Sequence, residues 1–331
     1  MVPPMSDRMR AIAADRVGST EHLHVTEVPV PRPGAGEVRV RIDHSAVNAA
    51  DLKVITWASG AGFIHAKSFP LLLGYDVSGI VDAVGDGVED VNEGDAVFGH
   101  LAYAGKQRQG AFAELVTMPA DAVALKPEGV SHETAAASVT AGLTALQALR
   151  DVAEVRSGDR VLIIGASGGV GSLAVAVAKR LGAHVTAVCS TSSVDFVREL
   201  GADEVIDRTK EDLRTRAGDY RAVFDTPDVS SFGETSHLLA DGGTYVTTLP
   251  SLRFVTGKLR SLVSSKRCAF VVVASKAADL NQLGRWLSDG MPVPIEARYS
   301  VKDAAAAIEA MRSRGRRGRI AVKVKDGWQS P

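Results

Sequence analysis

The chain of 331 residues has few cysteines, no long apolar segment and almost no net charge. Its two cysteines, Cys189 and Cys268, stand in apolar runs, so we expect buried core residues rather than a disulfide or a metal pair. No stretch approaches the roughly 18 apolar residues that span a bilayer, and residues 1–10 lack the apolar centre of a signal peptide. The net charge of −1 favours neither nucleic acid nor an anionic membrane as a partner. These absences predict a cytoplasmic protein without disulfides.

The pattern of apolar residues changes near Ser131 and again near Cys268. Before Ser131, short alternating runs between Gly- and Pro-rich turns predict an antiparallel β domain. From Ser131, which can cap an alanine-rich helix, strands and helices alternate at the spacing of a doubly wound parallel sheet. A last strand at Ile320–Val324 needs a partner sheet, so we expect it to return to the first domain. The predicted division is residues 1–127, 128–273 and 274–331, the middle part being an insertion.

Three further predictions concern two strands and the start of one helix. The run Phe112–Thr117 predicts a strand of the first domain, and Phe270–Val273 predicts a strand of the parallel sheet. Ser300 and Asp303 resemble a capping box at the start of a late helix.

The strongest motif is a glycine-rich turn between a predicted strand and a predicted helix. Its Ala166-x-Gly168-x-x-Gly171 spacing is that of the dinucleotide fingerprint, with alanine in the place of the first glycine. Gly168 would let the backbone approach a pyrophosphate, Gly171 would allow close packing of helix on strand, and the helix N-terminus would attract the phosphates. The motif therefore predicts a dinucleotide site formed by Ala166, Ser167, Gly168, Gly169, Val170 and Gly171.

The end of the next strand bears on which dinucleotide is bound. Sites for NAD usually place Asp or Glu there, about 20 residues beyond the fingerprint, to bind the ribose 2′-hydroxyl. This chain has hydroxyl side chains instead, which can donate to a 2′-phosphate, and this favours NADPH. Ser192 or Ser193 could also cap the following helix. The hydroxyl run consists of Ser190, Thr191, Ser192 and Ser193.

The order of short motifs along nearly the whole chain resembles that of quinone oxidoreductases, a zinc-free branch of the medium-chain dehydrogenase/reductase superfamily. The motifs include Asn48-Ala49-Ala50-Asp51-Leu52-Lys53, Gly74-Tyr75-Asp76-Val77-Ser78-Gly79, Gly94-Asp95-Ala96-Val97, Thr140-Ala141-Gly142, Gly168-Gly169-Val170-Gly171 and Gly318-Arg319-Ile320. The resemblance implies an α/β fold in which a Rossmann domain is inserted into a GroES-like, β-rich catalytic domain. It also implies an active site in the cleft between the two and, as in many members, a homodimer.

Zinc-dependent relatives carry Cys, His and Cys at the positions that align with Asn48, Tyr75 and Thr140. An amide, a phenol and a hydroxyl do not make a zinc site of the usual kind, so we expect no metal. Without zinc, alcohol oxidation lacks its Lewis acid, whereas reduction of a quinone or an α,β-unsaturated carbonyl needs none. The resemblance thus implies hydride transfer from NADPH to a quinone or enone, with hydrogen-bond donors stabilising the carbonyl oxygen.

Asn48, Tyr75 and Lys53 are the candidate catalytic residues. Asn48 would line the nicotinamide and substrate cleft, and Tyr75 or Lys53 would donate to the carbonyl oxygen or supply a proton. The alternatives are that Tyr75 is a core aromatic and Lys53 a solvated charge, and relatives often have tyrosine in the place of Lys53. Asp51 would hold local structure or pair with Lys53.

Further cofactor contacts are expected from several segments. Arg208 stands where relatives have a tyrosine near the adenosine, and it could stack on adenine or pair with the 2′-phosphate. Arg319 could face the cofactor phosphate. Strand ends at the carboxyl edge of the sheet would approach the nicotinamide. These further contacts are assigned to Thr140, Leu249 and Val272.

Two other interpretations stay open. An arginine-rich run, Arg312–Arg319, could mark a nucleotide- or RNA-binding protein without enzymatic activity, although such a run more often forms a solvated turn. Within the enzymes, the alternative is an enoyl reductase acting on a thioester or a polyketide intermediate. The segments that would line its substrate pocket are Trp57–Ser68 and Ser251–Lys266. An alcohol dehydrogenase is disfavoured by the missing zinc ligands.

Overall fold

The computed structural model describes residues 7–248, 250–313 and 315–328. The strands are β1 (Arg8–Ala14), β2 (Leu23–Pro29), β3 (Glu37–Ala46), β4 (Leu71–Leu72), β5 (Asp76–Val84), β6 (Ala96–His100), β7 (Leu115–Pro119), β8 (Val123–Leu125), β9 (Arg160–Ile164), β10 (His184–Cys189), β11 (Glu204–Asp207), β12 (Tyr220–Asp225), β13 (Leu239–Thr247), β14 (Arg267–Phe270), β15 (Ile295–Ser300) and β16 (Arg319–Lys323). The helices are α1 (Ala49–Ile55), α2 (Ala61–Ile64), α3 (His132–Leu146), α4 (Gly169–Arg180), α5 (Val194–Glu199), α6 (Phe232–Thr235), α7 (Leu252–Ser261), α8 (Ala277–Ser288) and α9 (Ala304–Glu309). None of the helices in the described part of the chain is long and apolar enough to span a membrane.

The middle of the chain forms a six-stranded parallel sheet in the order β11-β10-β9-β12-β13-β14. Its central strand β9 is almost wholly apolar, as expected of a strand covered on both faces. The chain builds outward from β9 to β11 and then turns back to β12 on the other side. This reversal makes a crevice at the carboxyl ends of β9 and β12, which is where such sheets bind ligands. The predicted Rossmann domain is confirmed.

The parts of the chain before and after this sheet form a GroES-like β domain, in which all strand pairs except β15–β16 are antiparallel among the described residues. Its larger sheet has the order β15-β16-β3-β5-β6-β8, with β7 also paired to β3, and a smaller sheet has the order β2-β1-β4. The last strand β16 runs antiparallel to β3, with Ala321 opposite Ala46. The prediction that the last strand returns to the first domain is therefore confirmed. Both cysteines are buried free thiols, as expected.

Helix α3 packs between the two domains. It begins as predicted, because the Ser131 side chain accepts a hydrogen bond from the Thr134 N–H group. Its residues Ala135–Leu146 are all buried, and it contacts β5 of the antiparallel domain as well as α4 of the parallel one. The domain boundaries at residues 127 and 273 stay predictions, since this helix belongs to the packing of both.

Two predicted strand ends are wrong. In the run Phe112–Thr117 the strand begins only at Leu115, because the backbone of Phe112 bonds to Ile12 and Leu73 instead of β3. In the run Phe270–Val273 the strand ends at Phe270. After Val271 the chain leaves the sheet, and Val272 is 62% exposed.

The predicted capping box of Ser300 and Asp303 is also wrong. The Ser300 hydroxyl donates to the carbonyl oxygen of Gly327, and a turn of 3₁₀ helix at Val301–Asp303 precedes α9. Ser300 therefore ties the helix start to the segment after β16.

A buried ion pair joins the returning strand to the rest of the molecule. Arg319 Nη2 of β16 lies 2.7 Å from Asp76 Oδ2 of β5, and the two side chains are 3% and 0% exposed. Arg319 Nε donates to the Ala137 carbonyl oxygen in α3 at 2.9 Å. Asp76 also accepts from the Thr140 N–H group in α3 at 2.9 Å. The pair thus fixes β16, β5 and α3 to one another.

Arg319→Leu should strongly destabilise the protein, because it leaves the Asp76 carboxylate buried without its cation. Removing one partner of a buried pair typically costs about 3–5 kcal/mol. The free energy of unfolding in urea measures the loss. Arg298→Ala is the control, since Arg298 is 63% exposed and pairs with Glu133 at the surface, where about 0–1 kcal/mol is expected. Equal losses for the two variants would contradict this account of Arg319.

Candidate functional site

The glycine-rich turn follows β9 at the crevice of the parallel sheet. A Cβ atom on Gly171 would lie 2.1 Å from the Gly165 carbonyl oxygen, so only glycine allows α4 to approach β9 this closely. Gly168 differs, because its φ of −73° suits any residue and a Cβ atom there would meet nothing closer than 3.4 Å. The space beside Gly168 is therefore not filled by the chain itself.

The backbone of this turn presents hydrogen-bond donors to that space. The first intrahelical bond of α4 runs from the Ser172 N–H group to the Gly168 carbonyl oxygen, at 2.9 Å. The N–H groups of Gly169, Val170 and Gly171 precede it and have no intrahelical acceptor. Free N–H groups and the positive end of the helix dipole suit the pyrophosphate of a dinucleotide.

The remaining predicted residues of the turn hold it in place. Ala166 is buried, and its N–H group donates to the Val188 carbonyl oxygen of β10 at 3.1 Å. The Ser167 carbonyl oxygen accepts from the Gly318 N–H group at 2.9 Å. The segment before β16 thus contacts the glycine-rich turn directly.

The hydroxyl run after β10 is only partly available to a ligand. Thr191 Oγ1 donates to Asp207 Oδ2 at 2.7 Å, and Ser193 is buried and does not cap α5 through its side chain. The predicted helix cap by Ser192 or Ser193 is therefore wrong, because α5 begins without a side-chain bond. The hydroxyls of Ser190 and Ser192 lie 3.3 Å apart near the sheet edge.

A carboxylate that the sequence analysis did not find stands beside this run. Asp207 ends β11 and lies opposite Cys189 of β10 in the parallel register. Hydrogen bonds from the hydroxyls of Thr191 and Thr209 lower the pKa of Asp207 to about 2, so it is charged at neutral pH. The pairing register of β10 and β11 places Asp207 beside the hydroxyl run, and this register cannot be read from the sequence.

Two arginines flank the same edge of the sheet. Arg208 lines a cavity of about 540 Å³ beyond the ends of β9 and β10, together with Ile164, Val188 and Val229. The exposed Arg317 donates from Nη2 to the Ser192 carbonyl oxygen. Arg317 was seen in the sequence only as part of the arginine-rich run.

A buried polar network lies where the antiparallel domain meets α3. Asn48 Nδ2 donates to Asp76 Oδ2 at 3.0 Å, and Asn48 Oδ1 accepts from Arg319 Nη2 at 3.0 Å. The Thr140 hydroxyl also donates to Asp76. Burial raises the pKa of Asp76, while Arg319 and the hydrogen bonds oppose that rise. The structure thus brings Asn48, Thr140 and Arg319 together around Asp76.

Asp51 holds local structure, which was one of its two predicted roles. Its carboxylate accepts from the N–H groups of Asn48 and Gly74, at 2.7 and 2.8 Å. Burial raises the pKa of Asp51 to about 7. The pairing of Asp51 with Lys53 is not seen. Lys53 is half-buried, which lowers its pKa, and it faces the opposing charge of Asp228 from the parallel domain.

Tyr75 is a fully buried core aromatic. Its hydroxyl lies 3.2 Å from His65 Nδ1, and burial raises its pKa well above the usual value. Around it stands an aromatic cluster, defined here as His65, Tyr75, His100 and Tyr103. The Tyr103 ring meets the rings of Tyr75 and His100 edge to face, with centroids 4.9 and 4.7 Å away. Of these four residues, only Tyr75 was expected from the sequence.

The two histidines of the aromatic cluster are buried and neutral. Burial lowers the pKa of His65 to about 4 and that of His100 to about 3. Within the described ranges, His65 Nε2 and both ring nitrogens of His100 lack a hydrogen-bond partner. These three ring nitrogens can therefore still form hydrogen bonds, and they lie beside the polar network.

Two predicted cofactor contacts remain. Val272 lies just after β14 with its side chain exposed. Leu249 lies outside the described residues. Among the residues that the structure does describe, no three His, Cys, Asp or Glu side chains are grouped so that they could hold a metal ion.

Comparison with known proteins places this geometry in a family. Residues 34–128 match the alcohol dehydrogenase GroES-like domain, and residues 200–322 match a family described as zinc-binding dehydrogenase. The chloroplast envelope quinone oxidoreductase homolog of Arabidopsis thaliana is 31% identical over 302 residues, which cover 87% of this chain and 89% of that protein. The 2-methylene-furan-3-one reductase of Solanum lycopersicum is 31% identical over 327 residues, covering 93% and 78% of the two chains.

A solved structure has the same architecture. The quinone oxidoreductase from Coxiella burnetii superposes with a TM-score of 0.85 at 30% identity, covering 96% of this chain and 99% of the other. Fold, motif order and relatives agree over nearly the full length. The chain is an oxidoreductase that belongs to the zinc-free quinone oxidoreductase branch of the medium-chain dehydrogenase/reductase superfamily.

Proposed function

We propose that the protein reduces a quinone or an α,β-unsaturated carbonyl with NADPH and without a metal. The observation that carries the proposal is the glycine-rich turn, where free N–H groups of α4 adjoin the unfilled space beside Gly168. NADPH, when bound, supplies the hydride that the substrate takes up. The residues that would hold it are Ala166, Ser167, Gly168, Gly169, Val170 and Gly171.

The side chains at the three zinc-ligand positions support reduction without a metal. The amide of Asn48 and the hydroxyl of Thr140 are both committed to Asp76, and the Arg319 guanidinium supplies the positive charge there. A fixed cation beside the Asn48 amide would repel a divalent metal ion. Asn48 and Lys53 then border the substrate cleft, Asn48 through the polar network and Lys53 as the half-buried cation opposite Asp228.

Preference for NADPH over NADH is supported by charge at the edge of the sheet. Arg317 reaches over the hydroxyl run, and Arg208 lines the neighbouring cavity. The charge of Asp207 opposes a 2′-phosphate, but the two arginine charges outnumber it. We therefore propose Ser190, Ser192, Arg208 and Arg317 as the 2′-phosphate contacts.

The arginine-rich run does not support the RNA-binding alternative. Arg312 pairs with Glu309 at 2.7 Å, Arg317 bonds to the hydroxyl run, and Arg319 is in the buried ion pair. These arginines are engaged by the protein itself.

The first experiment is an assay of NADPH and NADH consumption against 1,4-benzoquinone, 9,10-phenanthrenequinone, an alkyl enone and crotonyl-CoA. We expect chelator-insensitive, NADPH-selective turnover of a quinone or the enone. Turnover of crotonyl-CoA alone would move the assignment to the enoyl-thioester reductase. Binding without turnover of any substrate would contradict the proposal.

Arg317→Gln should raise the KM for NADPH about 10- to 100-fold and leave the KM for NADH unchanged, since a hydrogen bond to a charged group contributes about 1.5–3 kcal/mol.

Gly168→Val should abolish NADPH binding while the protein stays folded, because its side chain would occupy only the space that the chain leaves unfilled. Gly171→Ala is the contrasting variant, and it should lower Tm because its Cβ atom collides with the Gly165 carbonyl oxygen. Thermal melts and fluorescence titration with NADPH separate the two effects. A folded Gly168→Val protein with wild-type NADPH affinity would show that the cofactor binds elsewhere.

We also propose that the protein is a cytoplasmic homodimer. Helix α7 exposes an apolar face next to the edge strand β14, and both features favour association with a second chain. The two free thiols agree with a reducing compartment. The exposed apolar side chains are Leu252, Val255 and Leu259 of α7, and Leu262 and Val263 directly after it. Sedimentation equilibrium should give twice the chain mass, and Leu259→Lys should give the monomer; a wild-type monomer would refute the dimer.

A further inference from the structure

Two of the three predicted catalytic side chains are already bonded within the protein and are not free to donate to the carbonyl oxygen of the substrate, and the third, Lys53, faces the charge of Asp228. The Asn48 amide donates to Asp76 and accepts from Arg319. The Tyr75 hydroxyl is committed to His65 and is fully buried. Yet negative charge develops on that oxygen during reduction, and donors aimed at it lower the barrier.

Tyr103 stands at the right place to be this donor. Its ring packs against the apolar cores of both domains, so it lies where the domains meet. Unlike Tyr75, it keeps part of its surface exposed. Edge-to-face contacts with Tyr75 and His100 hold the ring in one orientation.

The surroundings of Tyr103 keep its hydroxyl protonated. Burial, followed by the negative charges of Asp76 and Asp51, raises the pKa of Tyr103 well above the usual value. Arg319 and the nearby Thr140 side chain oppose this rise in pKa. The hydroxyl therefore adjoins the polar network, and it can donate a hydrogen bond without losing its proton.

His100 supplies an independent indication that the space beside Tyr103 takes a polar partner. Its side chain is fully buried, and both of its ring nitrogens lack a partner within the part of the chain that is described. An unpaired buried polar group costs roughly 1–3 kcal/mol, and such groups in native proteins call for a functional or solvent partner. A ligand oxygen or a water molecule beside the Tyr103 ring would satisfy one of them.

We propose that Tyr103 is a further catalytic residue, whose hydroxyl donates a hydrogen bond to the carbonyl oxygen of the quinone or enone. The proposal rests on the proposed function. Carbon receives the hydride and its electron pair from the reduced cofactor, and the π electrons of the substrate move to the carbonyl oxygen. The O–H bond of Tyr103 stays intact, and the proton that completes the reduction is taken from water.

Tyr103→Phe should lower kcat about 10²-fold, the usual effect of losing one donor to an oxyanion. The KM for NADPH and the Tm should change little, because the ring and its contacts remain. Tyr220→Phe is the matched control. Its hydroxyl donates to Thr186 Oγ1 at 3.2 Å at the other end of the parallel sheet, so its loss should leave kcat unchanged.

A binding measurement tests the same donor without turnover. 4-Nitrophenolate carries its charge on an oxygen conjugated to a ring, as the reduced quinone does, and its absorbance reports binding. In the presence of NADP⁺, its Kd should rise about 10- to 100-fold in Tyr103→Phe, as expected for a hydrogen bond to a charged oxygen. The Kd should stay unchanged in Tyr220→Phe.

The outcomes separate the two proposals. A wild-type enzyme that reduces nothing in the panel would refute the proposed function, whatever the variant does with 4-nitrophenolate. An active wild type with unchanged kcat and Kd in Tyr103→Phe would overturn the inference alone. A lower Tm with unchanged kcat would make Tyr103 a packing residue, and a loss of turnover in Tyr75→Phe instead would return the role to Tyr75.

Discussion

The ion pair between Arg319 and Asp76 is the interaction on which the rest of the structure depends. It connects the last strand of the antiparallel domain to β5 and α3, and the hydrogen bonds of Asn48 and Thr140 converge on it. The same arginine also approaches the glycine-rich turn, since a Cβ atom on Gly169 would lie 3.3 Å from Arg319 Nη1. The buried Arg319 side chain therefore lies between the polar network and the glycine-rich turn. A shift of β16 would disturb both at once.

Around this pair, burial decides which groups carry charge. It keeps His65 and His100 neutral and keeps the phenols of Tyr75 and Tyr103 protonated, so they can act only as neutral donors or acceptors. In a buried environment of low dielectric constant, a single hydrogen bond to a developing oxyanion stabilises it more than the same bond would in water. In the proposed reaction, oriented neutral donors would therefore stabilise the oxyanion.

The sequence predicted what is local and missed what depends on distant pairing. The start of α3 was predicted at its observed place, because a serine cap depends only on the residues directly after it. The role of Gly171 also followed from spacing alone. By contrast, Asp207 reaches the hydroxyl run through strand register, and Tyr103 reaches the cleft through the packing of two domains. The apolar run at Phe270–Val273 misled the strand prediction, because a hydrophobic run does not reveal where its backbone partners end.

The return of β16 to β3 has a consequence for synthesis of the protein. Arg319 follows Asp76 by 243 residues. At a synthesis rate of about 5–20 residues per second, Arg319 is therefore added to the chain tens of seconds or less after Asp76. During that interval β3 lacks its β16 partner, and a free strand edge can pair with another chain. The parallel domain, whose strands lie between residues 160 and 270, can complete its own sheet earlier. The nascent chain is thus most exposed to misassembly in the domain that is translated first.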